Sequence, residues 1–380
     1  MSHLAIGWDL HRKFSQVSVM RRENDGELRV VERARLDHAD RESMRRWLSR
    51  QPAGTPVAME GAFGWQWVAD FLTEAGFDPR LGHPPKIKAL ATGEAKCDRR
   101  DADRCARLQL QGTFPKCYLA PPEVRLIRER TRFRQSLVTA RTEAKNRVQA
   151  LLHRLGLLHN FSDLFGQKGR QWLKELTLVA AYRDELDGWL SVIDVLGEQI
   201  QEVEAWMNMN LVEDKLIRHL RSIPGIGLIL AHVIRAEIGE LTRFVNRLKL
   251  TAYAGLAPLS DDSSDRHGRR HISRYCNHTL RWAFIEAAGV ALHSKNFPPS
   301  LRRLHNRLTG GNKFNKNAGK VAVARELCEL VYVIWKKGTP YAETPPSRPG
   351  AAGGQSSLRS EQPRHPMVRR QANRRGQTPK

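Results

Sequence analysis

The first 36 residues carry three strand-like runs, "LAIGWDL" (4–10), "SQVSVM" (15–20) and "ELRVVERARL" (27–36), separated only by "HRKF" and "RRENDG". Links this short join antiparallel neighbours, because a parallel crossover needs a dozen residues or more. The chain therefore begins as an antiparallel meander. Helices and one further strand follow. "ADRESMRRWLSRQ" (39–51) reads as a helix capped by Asp40, and "PVAME" (56–60) as a fourth strand. "WQWVADFLTEAG" (65–76) is a helix stopped by Gly76, and "CDRRDADRCARLQLQG" (97–112) is another that ends at Gly112.

Three antiparallel strands, a helix and then strand–helix units predict an α/β domain of ribonuclease-H-like fold over residues 1–117. Residues 118–215 have few breakers and predict long helices. Leu137, Ala144, Val148, Leu151 and Leu155 are spaced close to a coiled-coil seam, and the more acidic helix at 182–210 is a candidate antiparallel partner. Residues 216–337 read as a compact, mostly helical C-terminal domain. The last 43 residues, 338–380, hold eight Lys or Arg and two Glu among Pro, Gly, Ser and Gln, which predicts a disordered basic tail.

Charge narrows the partners. Sixty-three Lys and Arg against 40 Asp and Glu leave a formal net charge of +23. Such a chain seeks a polyanion, and nucleic acid is the first candidate. No run is apolar for long enough to cross a bilayer, and the N-terminus lacks the pattern of a secretory signal. Five cysteines without a C-x-x-C pair argue against a disulfide framework and a structural zinc site. A reducing, cytoplasmic location beside the nucleoid is expected.

Asp9 closes the first strand-like run and Glu60 closes the fourth. Asp98 and Asp101 lie three apart on a helix, so they share a face. If the first and fourth strands are neighbours, the four carboxylates converge at one sheet edge. Converging carboxylates repel unless a cation holds them, and hard oxygen donors suit Mg²⁺ or Mn²⁺. Singly, each has a plainer reading: Asp9 and Glu60 as turn residues, and Asp98 and Asp101 as ion pairs of Arg99, Arg100 and Arg104. Their order in the fold and the basic charge favour the metal site. Asp103 is one position off that face.

Two segments point to phosphate. In "SIPGIGLIL", Gly225 and Gly227 precede a helix, so backbone N–H groups can approach a phosphate, as in a helix-hairpin-helix module; the plainer reading is a turn that packs two helices. "AYAGLAPLSDDSSDRHGRRHISRYCNHTLRWAF" (252–284) sets Ser260, Ser263 and Ser264 beside Arg266, Arg269, Arg270 and Arg274. Such a loop can bind a phosphate, and a serine in it can attack one. Composition alone favours binding.

The order "IGWDLHRKFSQVSV", "VAMEGAFGWQWVADFL", "KCDRRDADRCARL" and "SIPGIGLILAHVIRAEIGELTRFVNRLKLTAYAGLAP…HISRYCNHTLR" resembles the DEDD transposases of bacterial insertion sequences, the one-ten and eleven-eleven group. The resemblance extends to about residue 337. It implies a resolvase-like N-terminal domain, a coiled-coil middle and a C-terminal transposase domain. It assigns the acidic set to Asp9, Glu60, Asp98 and Asp101, and a catalytic serine to Ser263, five residues after Pro258. Ser264 stands where glycine is usual, which leaves Ser260, Ser263 and Ser264 open; Cys97 stands where threonine is usual. The resemblance further implies a site-specific recombinase acting on donor and target DNA with a structured guide RNA from the element, as a homodimer or homotetramer. Two other readings stay open: a junction-resolving endonuclease that hydrolyses with water, and a non-catalytic nucleic-acid-binding protein.

Overall fold

The computed structural model describes residues 3–90, 98–259, 271–273, 275–294, 298–310 and 316–341, with the side chains of 98, 99, 211–213, 259, 271 and 316 outside that description. The meander forms as the sequence predicts: β1 (Leu4–Leu10), β2 (Phe14–Arg22) and β3 (Leu28–Asp37), followed by α1 (Arg41–Ser49), β4 (Pro56–Glu60), α2 (Trp65–Glu74), β5 (Asp78–Gly82), α3 (Pro84–Ala89) and α4 (Asp98–Leu110). The strands make one sheet in the order β3–β2–β1–β4–β5. β1 runs antiparallel to β2 and parallel to β4, and β4 is parallel to β5. This crossover places the C-terminal ends of β1 and β4 side by side. The sequence reading misses β5, whose proline and charges disguise a strand; an edge position tolerates both.

Alternation along β1 explains how the layers stack. Ile6 and Trp8 point to one face, where they join Val17, Val19, Val57 and Met59 under Met44, Trp47 and Leu48 of α1 and Val68, Phe71 and Leu72 of α2. Ala5, Gly7 and Asp9 point to the other face, which α4 covers. Ala5 and Met20 meet Ala106 and Leu110 there, and Ala58 meets Cys105 and Leu108. The small residues set the depth of α4. A Cβ at Gly7 would lie 1.8 Å from the Ala102 carbonyl oxygen, so only glycine lets the helix lie this close. Asp40 caps α1 by accepting from the Ser43 N–H at 2.8 Å.

Beyond the sheet come α5 (Pro122–Arg154), α6 (Gln167–Glu175) and α7 (Ala180–Glu213). α5 and α7 fold back on each other: Leu137 packs with Ile200, Val203 and Met207, while Val148 and Leu151 pack with Leu186, Leu190 and Ile193. The pairing of early with late residues makes the two helices antiparallel. Four of the five seam positions, Leu137, Ala144, Val148 and Leu151, are buried.

The C-terminal part comprises α8 (Lys215–Arg221), α9 (Leu228–Ile238), α10 (Arg247–Tyr253), β6 (Pro258–Leu259), β7 (His271–Ile272), α11 (His278–His293), α12 (Pro299–Thr309) and α13 (Lys316–Lys337). Its core centres on Ala283, Phe284, Ala287, Ala288 and Ala291 of α11 against Val323, Ala324, Leu327 and Val331 of α13. The first turns of α5 tie the two halves of the chain together. Arg125 pairs with Asp70 of α2, and Arg128 donates to the Ala236 and Glu237 carbonyls of α9 at 2.8 and 3.0 Å. No described helix is long and apolar enough to cross a membrane.

Candidate active site and nucleic-acid interface

The last registered pair between β1 and β4 is Trp8 with Met59. Asp9 and Glu60 each come one residue later, on the face that α4 covers, so the two strand ends bring them together. Asp98 is the first residue of α4, and its side chain lies outside the described residues. Asp101 lies one turn on. Cys105, one turn further, registers the convergence. Burial pushes its thiol up, and the charges of Glu60, Asp9 and Asp101 add to this, to about 12. Three carboxylates from three elements thus act on one buried atom.

Each of two carboxylates also has a basic side chain beside it. Asp9 lies 3.0 Å from His11 Nε2, and Asp101 accepts from Arg104 Nη1 at 2.7 Å. The ion-pair reading of Asp101 is therefore realised in part. Among the described residues no three acidic, His or Cys side chains already stand close enough to enclose an ion. By chemistry Asp9, Glu60 and Asp101 are hard oxygen donors of the kind a divalent cation takes. Asp103, off the shared face, is held elsewhere. Arg33 of β3 grips it with Nε and Nη2 at 3.1 and 2.7 Å. Burial raises its carboxyl, but the two bonds and the charge of Arg33 outweigh that and hold it below its ordinary range.

The glycine hairpin divides between its two readings. Gly225 has φ +87° and a Cβ there would lie 2.2 Å from the Ala287 carbonyl oxygen, so it packs the α8–α9 hairpin onto α11. A Cβ at Gly227 would meet nothing within 4 Å, and this exposed residue opens α9 without a side-chain cap. Of the two, Gly227 is the one with room for a phosphate. Ser260, Ser263, Ser264, Arg266, Arg269, Arg270 and Arg274 lie outside the described residues. Their flanks are described: Pro258 pairs with Ile272 and Leu259 with His271, so β6 and β7 form a ribbon whose two strands bracket residues 260–270.

Several residues of this region escape the sequence reading. Phe63 follows Glu60 by three and is 99 % exposed, an apolar ring in water beside the acidic edge. Its only sequence signal is an aromatic between two glycines. Glu237 is completely buried and accepts from Arg132 Nε and Nη2 at 2.9 and 3.0 Å and from Asn277 Nδ2 at 2.8 Å. That bond holds the Arg132 guanidinium charged more firmly than usual. Nothing local in the sequence pairs residues 105 positions apart.

Comparison with known proteins bears on both halves. A family model of DEDD transposases of the IS110 type, described as Transposase, matches residues 6–156, and one described as the Transposase IS116/IS110/IS902 family matches residues 217–305. The chain belongs to the DEDD transposases of the IS110 group. The transposase for insertion sequence IS1328 of Yersinia enterocolitica is 23 % identical over 299 residues, covering 76 % of this chain and 85 % of the relative. The transposase for IS1111A of Coxiella burnetii is 26 % identical over 257 residues, covering 63 % and 67 %. A probable family 20 transposase of Pseudomonas aeruginosa is 26 % identical over 291 residues, covering 74 % and 82 %. The IS110-group transposases cut and rejoin the DNA of their element, and this one is an enzyme of that class. Its mixed N-terminal sheet and mostly helical C-terminal part fit a DEDD transposase of ribonuclease-H-like fold.

Proposed function

We propose that this transposase works through a composite site. Asp9, Glu60, Asp98 and Asp101 hold one or two Mg²⁺ or Mn²⁺ ions, and Ser263 is the nucleophile. The observation that carries the acidic half is the parallel pairing of β1 with β4, which sets Asp9 and Glu60 one residue beyond Trp8 and Met59 at adjacent strand ends, with α4 laid close over Gly7. A bound divalent cation would neutralise the scissile phosphate and the oxygens that enter and leave. His11 and Arg104, which lie against Asp9 and Asp101, orient these carboxylates before loading.

The covalent chemistry belongs to the serine segment. The Ser263 Oγ forms a bond to phosphorus, the bond to the leaving deoxyribose oxygen breaks, and the hydroxyl proton passes by way of Asp98 or Asp101 to that leaving oxygen. The DNA is then joined to the protein by a phosphoserine. A hydroxyl of the other strand attacks that phosphorus, its proton goes to the Ser263 Oγ as the bond to serine breaks, and no net hydrolysis occurs. Arg266, Arg269, Arg270 and Arg274 neutralise the phosphates around the reacting one, and the N–H groups after Gly227 receive another. A structured RNA from the element pairs with donor and target and supplies the sequence specificity, a division of labour known in RNA-guided recognition. The α5–α7 pair, reading as a coiled coil, gives the surface for a homodimer or homotetramer.

In this account residues 1–117 form the acidic domain, 118–215 the helical link, 216–337 the serine-bearing domain and 338–380 a basic tail. The test is in vitro recombination with Mg²⁺, the flanking element RNA and labelled donor and target DNA, for wild type, Asp9→Asn and Glu60→Gln. Both variants should bind DNA and RNA normally and lose strand cutting by several orders of magnitude. Normal cutting by either would overturn the acidic half.

A further inference from the structure

Between the sheet unit and the C-terminal helices the described residues leave a cavity of about 620 Å³. We infer that this cavity binds a single unpaired nucleotide, its phosphate on Arg132 and its base on Tyr275. The inference rests on the reading of the chain as a strand-transferring enzyme and goes beyond it by naming a site for one base.

Four features point the same way. The first is charge. Glu237 is completely buried and takes up one arginine's charge, yet both Arg128 and Arg132 lie against it, the former at 3.9 Å. Two guanidinium groups share this one carboxylate, and Arg132, half exposed, is the one that lines the cavity. Two of its nitrogens are fixed on Glu237, so the guanidinium is presented in one orientation. The second is an aromatic lining. Tyr253, Tyr275, His83 and His278 all face the space, and flat rings of this kind offer stacking surfaces for a base.

The third is preorganisation. Tyr275 is 80 % exposed, which is costly for a ring without a partner. Its backbone is nevertheless pinned. Ser273 Oγ bonds both its N–H and its carbonyl at 3.1 Å, Arg281 donates to the Ser273 carbonyl, and the Asn277 N–H bonds the Tyr253 carbonyl at 2.9 Å. Gly255, at φ +66°, lets this loop lie against it, since a Cβ there would fall 2.6 Å from the Cys276 Cβ. These bonds hold an open ring at the mouth of the cavity that Arg132 lines.

The fourth is position. His83 follows Gly82, and Gly82 pairs with Glu60 across β4 and β5. Tyr275 lies three residues after β7, the strand that closes the serine segment. The cavity therefore has the acidic edge at one rim and the end of the serine segment at the other. A base drawn out of the helix there would fix the register of the strand being cut.

The experiment uses the full-length protein and a DNA duplex carrying one unpaired 5-iododeoxyuridine beside the cleavage position. Irradiation should join that base to Tyr275, identified by mass spectrometry of the cross-linked peptide. Tyr275→Ala should abolish the cross-link and lower the preference for the bulged over the fully paired duplex by roughly tenfold, in the range of a lost base stack. Tyr275→Phe, which keeps the ring, should restore both. A cross-link elsewhere, or Tyr275→Ala binding bulged and paired DNA in the wild-type ratio, would overturn the nucleotide site. These readouts need no strand transfer. A normal cross-link in a protein that never cuts DNA would remove the proposed chemistry and keep this site, and the reverse result would do the opposite.

Discussion

Replacing Gly7 by alanine tests how the acidic edge is built. The added Cβ would lie 1.8 Å from the Ala102 carbonyl oxygen and 2.8 Å from the Ala106 nitrogen, both backbone atoms of α4. No rotamer relieves a clash with backbone. To turn the 1.8 Å approach into an ordinary 3.4 Å contact, α4 must retreat by about 1.6 Å. Overpacking of this kind costs about 1–3 kcal/mol, and each kcal/mol lowers the melting temperature of a domain this size by about 4–8 °C. The catalytic loss should exceed the loss of stability, because α4 carries Asp98 and Asp101 while Asp9 stays with the sheet. A displacement of about 1 Å at reacting groups costs about 100-fold in rate. The assay is thermal unfolding together with strand cutting below the variant's melting temperature. Gly188→Ala is the control: it lies inside α7 with nothing within 4 Å of a new Cβ, and should stabilise by about 0.5–1 kcal/mol. A Gly7→Ala protein with wild-type cutting and melting would refute the claim that this glycine sets the depth of α4.

Glu237→Ala leaves Arg128 and Arg132 beside an empty, buried site and should destabilise the C-terminal half by about 3–5 kcal/mol in urea unfolding, with Glu237→Gln losing less. His232 is completely buried, and burial holds its imidazole below the usual value. The folded state keeps it neutral while the unfolded chain protonates near pH 6.5, so its contribution is complete above that pH and is lost as pH falls, by up to about 1.4 kcal/mol per pH unit; His232→Leu should flatten the decline between pH 7 and 5.5. Phe63→Ala should leave stability within about 0.5 kcal/mol, since its ring touches water, and weaken binding of cut-site DNA severalfold if the ring stacks on a base. Arg269 and Arg270 replaced together by alanine should lower the slope of log affinity against log salt by about two, measured by titration with duplex DNA; an unchanged slope would remove them from the phosphate contacts.

The sheet was legible because its signals are local. Short links force the meander, and the alternation of large Leu4, Ile6 and Trp8 with small Ala5 and Gly7 marks which face takes a helix at close range. The convergence of Asp9 and Glu60 needed one further step, the β1–β4 pairing, which the position of "PVAME" after the first helix made available. What stayed hidden was non-local. Glu237 meets Arg132 and Asn277 only after α5, α9 and α11 pack together, and nothing in "IRAEIGE" distinguishes a buried carboxylate from a surface one. The hairpin glycines looked equivalent in sequence, yet Gly225 is committed to packing on α11 while Gly227 is open. The β5 strand escaped because an edge position relaxes the composition that strands otherwise require.

The measurement that tests the composite site most directly is a denaturing gel of the reaction with Mg²⁺, element RNA and end-labelled donor DNA, comparing wild type with Ser263→Ala, Ser260→Ala and Ser264→Ala. The account predicts a DNA strand covalently attached to protein that needs Mg²⁺, Asp9 and Ser263, and that survives replacement of Ser260 or Ser264. Free cut ends without attached protein, produced equally by wild type and Ser263→Ala, would contradict it and leave a hydrolytic nuclease resting on the carboxylates alone.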